Sequence, residues 1–400
     1  HHSVSLRVLR DQRVAVTATS DLSEAGLARC VADALELSEL AEADPYAGPA
    51  DPKELAKPPY VELDTFDPAV SAIDAAEALR RATLAERAAL ASDSRIGLSE
   101  GATFARAEGM SALVLSSGFE ATLRSSYASL SVAPVAEDEG GKKRRGHYWT
   151  GARHAALLED SESVGREAAR RTLAKLGAKK IPTTEAPVVF DPDVARGLVG
   201  SFAGCILGGS IWRKASYLME REGTRVASSL VSIDDDPLIP RAPGSRPFDG
   251  EGLASRRNVV VEAGVLRTFL CDWYSARKLG RSSTASAGRS GGSVGPTTTN
   301  FILRAGTISP EAILSSTARG LYVTELMGFG FNPVTGDFSR GASGFWIENG
   351  ERAFPVSEIT ISSTLDAMLQ GIDAVGTDLE LKTSTAAPTL RVSNMTISGS

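Results

Sequence analysis

The amino-acid sequence predicts an α+β protein of two domains: an N-terminal α/β domain over residues 1–185 and a C-terminal β-rich, mainly antiparallel domain over residues 186–400. Three observations carry that expectation. A chain of 400 residues exceeds what one hydrophobic core usually serves. Helical and strand periodicities alternate through the first half. From Pro187 onward the texture changes to more glycine, short strands and long polar loops.

In chain order, SVSLRVLRDQRVAVTATS alternates apolar and polar residues around a turn at Arg10 to Gln12, the pattern of a β-hairpin. DLSEAGLARCVADALELSEL switches to helical spacing, with Leu27, Val31, Ala34 and Leu35 on one face and Asp21 or Ser23 as N-cap. EADPYAGPADPKELAKPPYVELDTFDP is too rich in proline for regular structure. An alanine-rich helix is expected over residues 71–93. The alternating runs ATFARAEGMSALVLSS, FEATLRSSYASLSVAPVAED and KKRRGHYWTGARHA fit an antiparallel sheet, with the basic run 142–145 at a solvated hairpin tip. A helix over 164–176 closes this half, and KKIPTTEAPVVF links it to a buried strand.

In the second half, RRNVVVEAGVLRTFLCD, GLYVTELMG, GFWIENGERAFPVSEITIS and TLRVSNMTIS read as strands with tight turns at EAG and ENGE. RSSTASAGRSGGSVGPTTTN and GFGFNPVTGDFSRGASG read as long loops, functional or mobile. GLVGSFAGCILGG, residues 197–209, reads as a small-residue helix packed closely against an apolar neighbour.

The bulk numbers bound the function. A net charge of -6 argues against a general nucleic-acid surface. No run reaches the roughly 18 consecutive apolar residues of a membrane span. Cys30, Cys205 and Cys271 form no CxxC pair, so a thiolate zinc knuckle or a disulfide framework is not expected, and a reducing cytoplasm is the simplest compartment. The chain opens on HHSVSLRV without an initiator Met, and its natural start is expected to be missing.

Catalytic residue types are scarce. His147 and His154 sit on a strand-like run and read as surface or packing residues. No HExxH or HExxxH occurs, so a helix-borne zinc site is not expected of this chain alone. Gly291-Gly292-Ser293-Val294-Gly295 overlaps a GxSxG elbow, but no strand is expected to lead in and no histidine is placed to serve it. Asp234, Asp235 and Asp236 read as a turn with a solvated face, and Cys205 as a buried, inert thiol.

PFDGEGLASRR, DWYSARKLGRSSTASAG, ELMGFGFNPVTGDFSRGASGFWIENGE and PVSEITIS resemble the signature blocks of the TldD/PmbA family, and more narrowly its PmbA branch, also called TldE. DLSEAG and DPYAGPAD extend the resemblance over nearly the whole chain. The resemblance implies a pair of related subunits. In the TldD branch an HExxxH helix and a later cysteine hold zinc in a peptidase site; the PmbA branch shares the fold, lacks the ligands and forms a heterodimer with its relative. The complex degrades unfolded peptides and trims modified peptide precursors. Carried over by position, the motif falls in GLVGSFAGC at Val199, Gly200 and Gly204, and the cysteine in LKTSTAAPTLRV.

The expectation is therefore a non-catalytic subunit with no cofactor of its own, whose TldD-like partner holds zinc. Its substrate would be an unfolded or modified peptide, or a peptide-like small molecule of a natural-product pathway. Tyr274, Arg277, Asp337, Ser339 and Arg340 are the candidate peptide or partner contacts, with an internal Asp337–Arg340 ion pair and an inward-packed Tyr274 helix as structural alternatives. Peptide is expected to add as a strand to an open sheet edge within residues 258–362. The rival readings are a free-standing hydrolase using Ser293 or Cys271, and a homodimeric peptide binder.

Overall fold

The computed structural model describes residues 2–399. Strands β1 (Val4–Arg10) and β2 (Arg13–Thr19) form the first hairpin, and Asp11 and Gln12 both take positive φ in its two-residue turn. Helix α1 (Glu24–Leu40) lies on it, with the Ser23 side chain accepting from the Gly26 N–H as N-cap. The buried side of α1 is only partly the expected one, Ala34 being buried as expected and Leu27 half-buried. Cys30, Ala34 and Ser38 face the hairpin, while Val31 is 47% and Leu35 43% exposed. Only short side chains let the helix come close enough for the Thr17 hydroxyl to donate to the Cys30 carbonyl at 3.0 Å, and a two-stranded sheet covers only a narrow stripe.

Helix α2 (Pro68–Ser71) and α3 (Ala75–Ala91) precede a long hairpin of β3 (Ile96–Val114) and β4 (Glu120–Glu137). Short strands β5 (Lys143–Arg145) and β6 (Tyr148–Ala152) pair with β4, and α4 (Ser161–Leu173) follows. Ala82, Ala85 and Ala89 of α3 meet Val164, Ala168 and Ala169 of α4 over Ile96, Leu130 and Val132 of the sheet. The basic run 142–145 is only partly the solvated tip expected: Arg144 is half-buried and paired with Asp138 at 2.6 Å.

The remaining elements build two sheets around one helix. The chain continues through β7 (Thr184–Phe190), α5 (Pro192–Cys205), α6 (Gly208–Trp212), β8 (Ile233–Asp235), β9 (Asn258–Glu262), β10 (Val265–Leu266) and α7 (Trp273–Lys278). It then forms β11 (Ala287–Ser290), β12 (Ser293–Pro296), β13 (Phe301–Leu303), α8 (Pro310–Ser315), β14 (Arg319–Met327), β15 (Asp337–Glu348) and β16 (Glu351–Thr364). It finishes with α9 (Leu365–Gln370), β17 (Ile372–Val375), β18 (Thr385–Ala386) and β19 (Leu390–Ser398). The larger sheet runs β16-β15-β14-β7-β19-β17, and the smaller one β10-β9-β8-β13-β18. All pairings are antiparallel except β14 with β7 and β13 with β18. Helix α5 packs against β14 of one sheet and β13 and β18 of the other. Phe190, Phe202, Leu218, Phe301 and Phe338 are fully buried around it.

Two expectations fail here. The aspartates 234–236 do not form a solvated turn: Asp234 and Asp235 lie buried in β8, in the interior of its sheet. Arg304 grips Asp234 at 2.6 and 2.7 Å and Arg257 adds 2.8 Å, while Asp235 accepts from the Thr299 N–H at 2.6 Å. The stretch 281–300 contains a hairpin, β11–β12, turned by Gly291 and Gly292, both at positive φ. Near the end of β16, Thr360, Ile361 and Ser362 pair with β19.

Candidate functional site

Helix α5 is set up locally. Asp191 caps it by accepting from the Asp193 N–H at 3.1 Å, and Pro192 occupies the first turn, where its missing N–H costs nothing. Val194, Ala195, Leu198, Val199, Phe202 and Ala203 bury one side in the core. The other side is bare. A Cβ built on Gly197, Gly200 or Gly204 would meet no atom within 4 Å. The close packing expected of GLVGSFAGCILGG therefore holds for its larger residues and for Gly208, where a Cβ would meet the Ser275 Oγ at 2.6 Å and the Cys271 Sγ at 2.7 Å, and not for Gly197, Gly200 or Gly204. Of the three motif positions, Gly200 and Gly204 lie on this open side and Val199 is buried on the other.

The second stretch singled out by resemblance, LKTSTAAPTLRV, lies against the same helix. Strand β18 packs on α5, and Arg196 donates to the Thr383 hydroxyl at 3.3 Å. The side chains offered here are glycine, valine, serine, threonine and alanine. The one thiol of the helix, Cys205, is buried, faces the Pro333 carbonyl at 4.0 Å and is pushed up to about 12 by burial. A zinc ion needs deprotonated sulfur, imidazole or carboxylate donors, and no group of three His, Cys, Asp or Glu among the described residues is arranged to hold a metal. The residues of this helix do not fit zinc.

The loop 328–336 closes over the C-terminal end of α5. The Tyr217 N–H donates to the Pro333 carbonyl at 2.8 Å, and Gly336 lies over the Tyr217 ring. Phe329 at its tip is fully exposed. Asp337 accepts from the Thr335 hydroxyl at 2.6 Å, Ser339 shares a hydrogen bond with Ser362 at 3.1 Å, and the Arg340 Nε is buried without a partner. Asp337 and Arg340 make no ion pair with each other. Both lie on β15 and pair with β16 on one side; on the other, the loop lies alongside, the Ser339 N–H donating to the Gly330 carbonyl at 2.7 Å and the Asn332 N–H to the Asp337 carbonyl at 2.9 Å.

Tyr274 and Arg277 sit elsewhere, on α7, and hold the N-terminal half of the chain. The Tyr274 hydroxyl donates to Asp44 at 2.6 Å, Lys278 approaches the same carboxylate at 3.3 Å, and Arg277 donates to the Tyr46 carbonyl at 3.4 Å. Burial works to raise the Asp44 pKa, but the hydrogen bonds from Tyr274, the Tyr46 N–H and Lys278 outweigh it and hold the carboxyl below its usual range. At the start of α7, the Trp273 N–H donates to buried Glu251 at 2.7 Å, and burial pushes the Glu251 carboxyl up to about 7.

The two nucleophile candidates are poorly prepared. Cys271 is buried and burial pushes it up to about 11; Ser293 is exposed on β12, a strand that packs on α6, α7 and β11. His154 bonds the Asp64 carbonyl at 2.9 Å.

His147 instead lines a charged cavity of about 240 Å³ that the sequence did not suggest, together with Arg171, Asp191, Asp193, Arg196 and Arg352. Burial raises the Asp191 carboxyl against the pull of Arg171. The FDPD run marks Asp191 as a helix cap, but its meeting with Arg171 of α4 and Arg352 of β16 is tertiary.

Models of the PmbA/TldA metallopeptidase family match three parts of the chain: domain 1 over residues 1–38, the central domain over 68–176 and the C-terminal domain over 183–399. The chain is 38% identical to the metalloprotease PmbA of Escherichia coli O157:H7 over 397 residues, covering 99% of this chain and 86% of that protein. A TldD homolog from Haemophilus influenzae, also named a metalloprotease, matches at 30% over 264 residues, 63% of this chain and 55% of that one. The crystal structure of a proposed modulator of DNA gyrase from Bacteroides thetaiotaomicron superposes with a TM-score of 0.92 at 26% identity, covering 99% of this chain and 88% of that one. With its family blocks, its domains and its fold in agreement, the chain belongs to the PmbA/TldD metallopeptidase family.

Proposed function

We propose that this chain is a subunit of a PmbA/TldD-type peptidase assembly that supplies no catalytic residue or metal ligand itself. With a TldD-like, zinc-bearing partner, it completes a chamber for extended peptides or peptide-like substrates in the cytoplasm. The observation that carries the reading is the bare side of α5. The helix that would present metal ligands shows Gly197, Gly200 and Gly204 there, and its one thiol is buried and protonated. What such a surface can do is let a backbone approach closely, because nothing projects from it. The loop 328–336 at the end of the same helix, with Phe329 exposed, is a rim suited to grip a peptide side chain.

Mixing the purified chain with a TldD-like protein that carries HExxxH tests this. A mixed complex that cleaves unstructured peptide, and loses that activity to chelator, is expected, with neither activity nor chelator response in this chain alone. Chelator-resistant cleavage by the chain alone would overturn the reading in favour of a free-standing hydrolase. Failure to form any mixed complex would overturn it in favour of a peptide binder.

A further inference from the structure

We propose that the cleft between α4 and the N-terminal end of α5 binds a small oxyanion, the phosphate or carboxylate group of a compact ligand. The lining of its cavity of about 240 Å³ holds six arginine and lysine side chains against three carboxylates. Arg171 of α4, Arg196 of α5 and Arg352 of β16 reach it from elements distant in sequence. Each of these guanidinium groups lies on an aromatic ring. The Arg171 Cζ stands 4.6 Å from the Tyr148 centroid, and the Arg196 Cζ 5.5 Å from that of Trp149. Arg352 sits 3.7 Å over Tyr322 and 5.4 Å from Phe345, which face each other across β14 and β15. A ring takes the flat face of a guanidinium and leaves the N–H groups at its edge, so stacking orients three forks without using their donors.

The forks are unfilled. Arg171 uses its Nε on Glu167 at 2.8 Å, and Arg196 uses Nε and Nη1 on the Asp193 carbonyl and the Thr383 hydroxyl, both at 3.3 Å. The Nη2 of each is left without an acceptor among the described residues. The Asp193 carboxylate stands 3.5 Å from both groups, beyond the roughly 2.7–2.9 Å of a charge-assisted hydrogen bond. Arg352 rests on its two rings, and its guanidinium makes no hydrogen bond or ion pair among the described residues. Asp191 does not satisfy it: burial pushes that carboxyl up, toward its neutral form, and its oxygens accept from the Asp193 N–H at 3.1 Å and the Tyr322 hydroxyl at 3.4 Å. An oxyanion supplies the paired acceptors that guanidinium edges match two at a time. A second cavity of about 440 Å³ shares the three arginines and continues to Tyr148 and Lys382, with room for the body that carries the anion. The inference concerns the chain on its own and does not rest on the partnership proposed above.

The test titrates the full chain, purified without a partner, with inorganic phosphate and separately with succinate, at an ionic strength held constant with chloride. Calorimetry is expected to show one saturable site with a Kd below about 1 mM. Saturation by either anion supports the site, and the tighter of the two names the group. Arg352→Gln should weaken binding about tenfold, and Arg352→Lys, which keeps the charge without the fork, should recover only part of the loss. Arg29→Gln, on the exposed side of α1, should change nothing. His147 lines the cavity, where burial and then Arg145 hold its pKa down. A bound anion should raise that pKa in an NMR titration, while the signals of His154, outside the cavity, stay in place. Failure of both anions to saturate would overturn the proposal. So would an affinity that Arg352→Gln and Arg29→Gln change alike, or a His147 titration that neither anion moves.

Discussion

Helices α4 and α5 are of similar length and both carry glycine, yet the glycines mean opposite things. In α4, a Cβ on Gly165 would overlap the Ala85 carbonyl oxygen of α3, so the glycine is there to let two backbones touch. In α5, Gly197, Gly200 and Gly204 face open space. A small-residue stretch is therefore not in itself a sign of close packing. Where the partner backbone is absent, the same residues make a smooth, side-chain-free wall. The α7 junction is the converse of that wall. Its aromatic and charged side chains look like a binding surface in sequence, and Tyr274, Arg277 and Lys278 are committed to Asp44 and Tyr46 of the same chain.

The contrast predicts a graded set of outcomes. Gly165→Ala should be the most damaging, at about 3 kcal/mol in urea unfolding, because the new methyl must push α3 and α4 apart; an unchanged midpoint would mean that the two helices are not locked. Glu251 tests the closed end of α7. Burial holds its folded-state carboxyl near 7, above the ordinary 4.5, so the folded state keeps a proton that the unfolded state has lost. Stability should be fully present below about pH 4.5 and fall by about 3 kcal/mol as pH rises to about 7. Glu251→Gln should flatten that part of the profile, and an unaltered slope would assign it to another group. Tyr274→Phe removes the hydroxyl that Asp44 accepts, and should cost about 1 kcal/mol of stability. Smallest, and opposite in sign, are Gly200→Ala and Gly204→Ala. With nothing to collide with, each should be neutral or stabilise by about 0.5 kcal/mol through helix propensity. A loss of stability at either position would show that the wall is packed after all.

What could be read from the sequence was what local chemistry decides. The β1–β2 hairpin and the turn at Asn349 and Gly350 follow from residues that accept positive φ, and the caps at Ser23 and Asp191 from side chains able to accept an N–H. The family blocks marked α5 and the segment 381–392 as the places where metal ligands would stand. What could not be read depends on which element lies opposite. Three adjacent aspartates give no hint that Arg257 and Arg304 will take one of them into a sheet. The apolar residues of α1 suggest a face including Val31 and Leu35, but a narrow hairpin selects Cys30, Ala34 and Ser38. Glycine spacing in α5 places three residues along one side of a helix without saying whether that side is covered.

Helix α5 presents a wall of glycines whose residues do not fit a metal. Zinc content of the purified, refolded chain after equilibrium dialysis against zinc measures it most directly. Substoichiometric zinc, unchanged by Cys205→Ser, is expected. One zinc per chain, lost on Cys205→Ser and accompanied by chelator-sensitive peptide cleavage, would contradict it.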